Sequence, residues 1–335
     1  MMKKIWQSCE IKGKTIPNRI VYPPIATEKC QEDGGVTSSL LDNYQQLSLS
    51  GVGTLIVEHA FIHEDGKFSP LQLSISTDEA IEGHKKISTI IKNEKILSAL
   101  QINHGGAHCL ASTGKNIVFG PSCIRRISGE VSVEPMSLQQ IHYTVECFQA
   151  AAIRAVKAGY DMIEVHAAHG FLLSQYLSPL TNQRKDEYGG SLKNRMRLLM
   201  DIVEAIQSAI PDEILLAVRL GIADAHPESQ KPAGLLLKEG IAVAQSLEAK
   251  GIDFLDLSGG MCGSRPEDCT KQGYFVPYAQ AAREAGIQLP LMITGGIKSL
   301  EKAEEIVDQG YADFVGIGRA LYQDPRWLKK EMRHV

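Results

Sequence analysis

Two histidines stand three positions apart in the stretch EVHAAH, at His166 and His169. At the end of a strand they would present two imidazoles to one oxygen atom, a geometry that polarises a carbonyl. Histidine is also the commonest metal ligand, and Glu58, His59 and His104 could complete a metal site, so spacing alone leaves that reading open. Two histidines satisfied inside the core is the third reading. A second feature is a pair of glycine-rich ends, Gly295-Gly296 and Gly318-Arg319. Glycine lets backbone N–H groups approach an anion, and arginine adds a fixed planar fork. Any one of these glycines reads as a tight turn; together with an arginine they point to a phosphate. Third, Arg219 lies inside the apolar run LLAVRLG. A charge buried there without a partner is costly, so either a carboxylate of the fold or a negatively charged ligand must meet it.

The elements that would carry these residues alternate. Apolar, β-branched runs cover 19–26, 53–62, 95–105, 162–168, 215–221, 254–259, 290–296 and 314–319. Such continuous runs suit strands buried on both faces of a parallel sheet. Amphipathic stretches fill the gaps at 38–51, 77–93, 137–159, 191–209, 234–250, 274–286, 299–309 and from 321. The third opens on a Ser-x-x-Gln capping box at Ser137 and Gln140 and closes on Gly159. Eight strands, each followed by a helix, predict an α/β fold of the (β/α)8 TIM barrel type, one domain over 1–335. Barrel chemistry sits where strands end. Thr27, Glu58, His59, Gln101, His104, His166, His169, Arg219, Ser258 and both glycine pairs fall there. The irregular stretch 106–136 would cover the mouth.

Composition narrows the function classes. The chain has 335 residues, 44% hydrophobic and 22% charged, with a formal net charge of −4. That balance argues against a nucleic-acid or anionic-membrane partner, which would call for a basic patch. Seven cysteines (Cys9, Cys30, Cys109, Cys123, Cys147, Cys262 and Cys269) include no CxxC pair, which predicts reduced thiols and a cytoplasmic setting. The basic start MMKK leads into no apolar segment of a signal peptide, and no 18-residue apolar run predicts a membrane span.

The segment EVHAAHGFLLSQYLSPLTNQRKDEYGGSLKNR (164–195) resembles the most specific stretch of the old yellow enzyme family of FMN-dependent ene-reductases. NRIVYPPIAT, QINHGG, AVRLG, LSGG, MITGGI and FVGIGRALYQDP match its other motifs in order, so the resemblance runs from about residue 5 to 328. It implies an FMN-holding barrel with NADH or NADPH as reductant and a small-molecule substrate, and a homo-oligomer is compatible with it. Pro23, Pro24, Ile25 and Ala26 would line the flavin, and His59 falls where the family has a small residue against the ring system. Gln101 would pair with the pyrimidine edge, and Arg219 would stabilise negative charge beside it. Ser258, Gly295, Gly296, Gly318 and Arg319 would hold the ribityl chain and phosphate. His166 and His169 would bind the substrate's carbonyl oxygen, with Thr27 and Phe171 also at the substrate. No glycine-rich dinucleotide fingerprint is needed when the nicotinamide only stacks on the flavin.

The chain also departs from the family. The tyrosine that donates a proton in most members is replaced by Phe171, leaving His59, Tyr176, Tyr274 and Tyr278 as other candidate donors. Ala26 stands where one branch has a flavin-tuning cysteine. That branch also has a substrate-contacting tyrosine near Glu28, absent here, and a C-terminal arginine that the tail Arg333-His334-Val335 does not clearly match. The PPIAT pattern is similar to the barrel of 2,4-dienoyl-CoA reductase-like proteins, but Cys262 and Cys269 lack the spacing of an iron–sulfur cluster. The reading is an FMN-dependent reductase of activated alkenes. Its alternatives are a flavin enzyme of the same fold with a different step, such as a demethylase or diaphorase, and a phosphate-binding barrel lyase or isomerase.

Overall fold

The computed structural model describes residues 3–109, 117–123, 132–227, 229, 233–265 and 271–332. Eight parallel strands close into a barrel: β1 (Ile20–Tyr22), β2 (Thr54–Phe61), β3 (Leu97–Asn103), β4 (Met162–Ala167), β5 (Leu215–Ala223), β6 (Phe254–Gly259), β7 (Leu291–Thr294) and β8 (Phe314–Gly316). Each pairs with the next in sequence, and Val315 opposite Ile20 joins β8 to β1. Nearly every strand position is buried, because one face meets the barrel interior and the other the helices.

The helices sit where their polarity pattern predicts. Arg197–Gln207 buries Leu198, Leu199, Ile202, Val203 and Ile206, a stripe at helical spacing. Leu138–Lys157 opens on the Ser137/Gln140 capping box, with both reciprocal bonds made. Two expected helices are each split. The stretch 191–209 forms Leu192–Arg195 and Arg197–Gln207, with Met196 between them. The last forms Arg319–Gln323 and Trp327–Glu331, because Pro325 pushes Asp324 out of the helical region to φ −142° and ψ 99°.

Two features lay outside the alternating pattern. A hairpin of Cys9–Ile11 and Lys14–Ile16 turns at Lys12 and Gly13, both at positive φ. It packs Ile16 against Val21, Ile56, Leu97, Met162 and Phe254 and so seals the N-terminal end of the barrel. The stretch 106–136, expected to be irregular, contains a parallel ladder of Ile117–Gly120 with Ser132–Pro135. Val118 and Val133 pack there with Ala107 and Cys109. Residues 110–116 and 124–131 of that stretch lie outside the described residues, as do Cys269 and the tail 333–335. The cysteines among the described residues are free thiols, and no described helix is long and apolar enough to cross a membrane.

The barrel interior is layered. Its lower part is apolar, with Phe254 and Phe314 rings 5.1 Å apart between centroids. Gln101, Glu164, Arg219 and Asp256 form a buried polar group, and two residues further along their own strands His166 follows Glu164 and Ser258 follows Asp256. Residues two apart on a strand share a face. That rule would separate Ile56 from His59, but a register irregularity between Val57 and Ala60 breaks it. Consequently Ile56 fills the lower core, His59 lines the mouth, and Glu58 turns outward to the Tyr44 hydroxyl on helix Ser38–Ser48.

Candidate active site

A cavity of about 970 Å³ opens at the C-terminal ends of the strands, large enough for a bound cofactor and a small substrate. Its walls include Pro23, Pro24, Ile25, Ala26, His59, Gln101, His166, His169, Phe171, Arg219, Ser258, Gly296, Gly318 and Arg319. Every one of these was expected at the site. Two expected residues are elsewhere. Thr27 spends its hydroxyl and its N–H on the Glu58 carboxylate, at 2.7 and 3.0 Å. The Gly295 carbonyl accepts from the N–H groups of Gly273 and Tyr274, beside the cavity wall rather than in it.

The polar layer forms the floor. Gln101 Nε2 donates to Glu164 Oε1 at 2.7 Å. Arg219 Nε stands 3.0 Å from Asp256 Oδ2, so the buried arginine is met by a carboxylate of the fold itself. That contact is an ion pair without hydrogen-bond alignment, and Glu164 Oε2 and both Asp256 oxygens are buried with no hydrogen bond. Burial pushes the Glu164 carboxyl up to about 8, helped by the Asp256 charge and opposed by Arg219. Burial also raises Asp256, to about 6, again against Arg219. Sequence reasoning missed both carboxylates. The available signal was strand alternation: Glu164 precedes His166 by two, and Asp256 precedes Ser258 by two.

The two histidines meet at right angles, ring centroids 4.9 Å apart. The Ala168 N–H donates to His166 Nδ1 at 3.3 Å, which leaves the proton of the neutral ring on Nε2. His169 adopts φ 58°, uncommon for a side chain with a Cβ, and its N–H donates to the Gly259 carbonyl at 3.0 Å. Its Nε2 is hydrogen bonded to Ser258 Oγ at 2.7 Å. Ser258 was expected at the ribityl chain; here its hydroxyl orients an imidazole. Burial holds both histidines well below their ordinary pKa, with His169 and Arg219 reinforcing it for His166 and Arg219 for His169. Both are neutral imidazoles, not cations.

Two of the three further residues that a metal reading would need are committed elsewhere. Glu58 is bonded to Thr27 and Tyr44, and His104 Nδ1 accepts from the Gly106 N–H at 3.0 Å. Among the described residues no three His, Cys, Asp or Glu side chains are grouped to hold a metal.

The opposite wall lacks bulk by necessity. A Cβ on Gly316 would lie 1.9 Å from Thr294 Oγ1, and one on Gly318 would press on Ile25 and Pro23 at 3.0 and 3.2 Å. Arg319 lines the cavity on the same wall, and among the described residues its guanidinium makes no ion pair or hydrogen bond. Thr294 Oγ1 is buried there without a partner. The near wall is aromatic: Phe171 lies 5.0 Å from His166, 5.4 Å from His59 and 5.1 Å from Phe68, between ring centroids. Of the tyrosines considered as donors, Tyr274 lines the cavity and donates to the Ser264 carbonyl at 2.9 Å. Tyr278 donates to the Ala225 carbonyl, and neither it nor Tyr176 lines the cavity.

Comparison with known proteins gives a consistent result. The family described as NADH:flavin oxidoreductase / NADH oxidase matches residues 4–335. An NADPH dehydrogenase of Geobacillus sp. (strain WCH70) is 34% identical over 321 residues, covering 95% of this chain and 90% of that protein. An NADH oxidase of Thermoanaerobacter brockii is 33% identical over 326 residues, and the chain spans 96% of its own length but only 49% of that longer protein. Among solved structures, an old yellow enzyme homologue from Zymomonas mobilis superposes with a TM-score of 0.82 at 24% identity, covering 99% of this chain and 93% of the other.

Proposed function

The chain belongs to the NADH:flavin oxidoreductase / NADH oxidase family, the old yellow enzymes, and on that premise we propose that it reduces the C=C bond of α,β-unsaturated carbonyls and related activated alkenes. It is an FMN-dependent oxidoreductase that draws on NAD(P)H. The residues present fit the cofactor: Gly316, Gly318, Thr294 and Arg319 line the cavity together, and among the described residues the Arg319 guanidinium makes no ion pair or hydrogen bond and the buried Thr294 hydroxyl has no partner. Arg319 would meet the phosphate and Pro23 to Ala26 would flank the ring system. Gln101 spends one amide hydrogen on Glu164 and keeps the rest of its amide for the pyrimidine edge. When bound, FMN would supply the hydride chemistry that links the nicotinamide to the alkene, so both substrates would use one site in turn.

The observation that carries the reading is the His166 tautomer. Its Nε2–H, fixed by the Ala168 N–H on the other nitrogen, would donate to the substrate's carbonyl oxygen as negative charge gathers there. Burial keeps the donor neutral and the surroundings weakly screening, where one such donor is typically worth about 3–4 kcal/mol of transition-state stabilisation. Arg219, beside the floor, would balance charge on the cofactor side. Phe171 has no proton to give, which favours a second reading: a diaphorase-like enzyme whose physiological acceptor needs no proton at carbon. Anaerobic reduction of the bound flavin, followed by a panel of enones, enals, nitroalkenes and enoyl thioesters, tests both. Rapid reoxidation by enones supports the proposal; reoxidation by quinones or oxygen alone overturns it.

A further inference from the structure

His59 is held by a chain of hydrogen bonds whose directions are forced. The Phe68 backbone N–H can only donate, and it meets Gln72 Oε1 at 2.6 Å. The His59 backbone carbonyl can only accept, and it meets Gln72 Nε2 at 3.1 Å. The two backbone groups fix the Gln72 amide in one orientation. Its NH2 group then faces His59 Nδ1 at 2.8 Å, so Nδ1 must be the acceptor nitrogen. Asn103 Nδ2 stands 3.5 Å from the same nitrogen. The one proton of the neutral ring is therefore on Nε2, which makes no hydrogen bond among the described residues, on a ring that lines the cavity. Burial and the Arg219 charge push the imidazolium down to about 4, so no second proton competes near neutral pH.

His59 is a neighbour of His166, ring centroids 6.1 Å apart. Phe171 touches both His59 and His166. The mouth thus holds two neutral, tautomer-locked N–H donors side by side, His166 set by a backbone N–H and His59 by Gln72. A ligand with two neighbouring acceptor oxygens gives each of these donors its own partner. A buried donor left without an acceptor loses about 1–3 kcal/mol, so the pair selects ligands that carry two.

We propose that His59 is a substrate-specificity residue, donating its Nε2–H to a second acceptor oxygen adjacent to the one bound by His166. The substrates favoured are planar molecules with two neighbouring oxygens, as in vicinal dicarbonyls and ortho-quinonoid rings. Gln72 is the positioning residue that sets the tautomer. The proposal rests on the functional reading above, in which His166 binds the first oxygen.

The test is a pair of ligands on the oxidised holoenzyme: phenol, with one oxygen, and catechol, with two neighbouring ones. Binding is read from perturbation of the flavin absorbance, and the result is the ratio of the two dissociation constants. Because both ligands are measured on the same preparation, altered flavin loading cancels. The wild type should hold catechol about tenfold tighter than phenol, the effect of about one added hydrogen bond. His59→Ala should bring the ratio close to one. His59→Gln, whose Nε2 reaches the position of the imidazole N–H, should restore part of it. Gln72→Leu, which leaves the cavity wall in place, should lower the ratio by freeing the tautomer, and serves alone if His59→Ala does not fold. A wild-type ratio near one, or a ratio unmoved in His59→Ala or in Gln72→Leu, overturns the proposal. If neither ligand binds the wild type, the reading of His166 as an oxygen-binding group fails first, and this one falls with it.

Discussion

The Phe171 ring meets the His166 imidazole edge to face, 5.0 Å between centroids and 73° between planes. The residue that cannot donate a proton is thus packed on the residue proposed to bind the substrate's oxygen. Phe68 closes on Phe171 from another side at 5.1 Å. Such aromatic pairs add about 0.5–1.5 kcal/mol each beyond burial, so the ring is held in place and a phenol there would be held likewise. In Phe171→Tyr the oxidative half-reaction with enones should speed up, by less than the ~10²–10⁴ typical of general acid catalysis because the pocket is shaped around phenylalanine. Stopped-flow reoxidation in H2O and D2O measures it. A wild type that already reduces enones quickly, with no gain from the tyrosine, would show that another donor serves.

His166 and His169 are buried and neutral, so their donor strength is independent of pH across the neutral range. Removing both should weaken phenol binding by about 10- to 100-fold per lost bond to a charged oxygen, and abolish the long-wavelength band that phenols give over oxidised flavin. After correction for phenol ionisation, wild-type binding should show no step between pH 5.5 and 8. The sign follows from the lowered pKa values: protonation would come only well below 6.5, and there it would cost stability rather than tune binding. A step near pH 6.5 that vanishes in the double variant would place an ordinary histidine at the site.

The barrel was legible in the sequence because each of its strands is buried on both faces and each helix carries an apolar stripe. The site was legible where it depends on residue type at strand ends: His166, His169, Arg219 and Arg319 all line the cavity. What escaped depends on direction or partnership. Thr27 sits at the right height but bonds Glu58, because a register irregularity in β2 turns that carboxylate outward. Asp256, the partner of Arg219, lies in a different apolar run and nothing local joins them. Gln72, which sets the His59 tautomer, comes from an irregular segment with no periodicity to read. The N-terminal hairpin lies ahead of the alternating strands and helices and closes the barrel from outside that pattern.

Glu164 gives a prediction about stability. Its folded pKa, about 8, lies well above the value of a carboxyl in an unfolded chain, near 4.3. Between those values the folded state holds a proton that the unfolded state has lost. Its stabilising effect is complete at low pH and disappears as pH rises through 8, with a limiting slope of about 1.4 kcal/mol per pH unit. Glu164→Gln cannot ionise and keeps an acceptor for Gln101. Relative to wild type, the variant should gain stability steadily from pH 5 to pH 8 in urea unfolding of the holoenzyme. A difference constant with pH would mean that Glu164 is ionised in the folded protein.

Arg319 tests the cofactor end. Among the described residues its guanidinium is uncommitted, and it lines the cavity beside Gly316 and Gly318, where packing against Thr294, Ile25 and Pro23 leaves no room for a side chain. A fork of donors on a cavity wall of glycine backbone suits a phosphate dianion, whose contacts to arginine are bidentate and strong. Losing one such contact costs about 1.5–3 kcal/mol, or roughly 10- to 100-fold in affinity. Arg319→Ala should therefore purify with less flavin, and FMN titrated into its apoprotein should bind weaker by that factor. Riboflavin, which has no phosphate, provides the control: its affinity should change little, so the preference for FMN over riboflavin should narrow by the same factor. If both ligands weaken equally, Arg319 supports the cavity wall rather than the phosphate. If neither weakens, the phosphate lies elsewhere along the rim, and Lys298, which also lines the cavity, becomes the residue to replace.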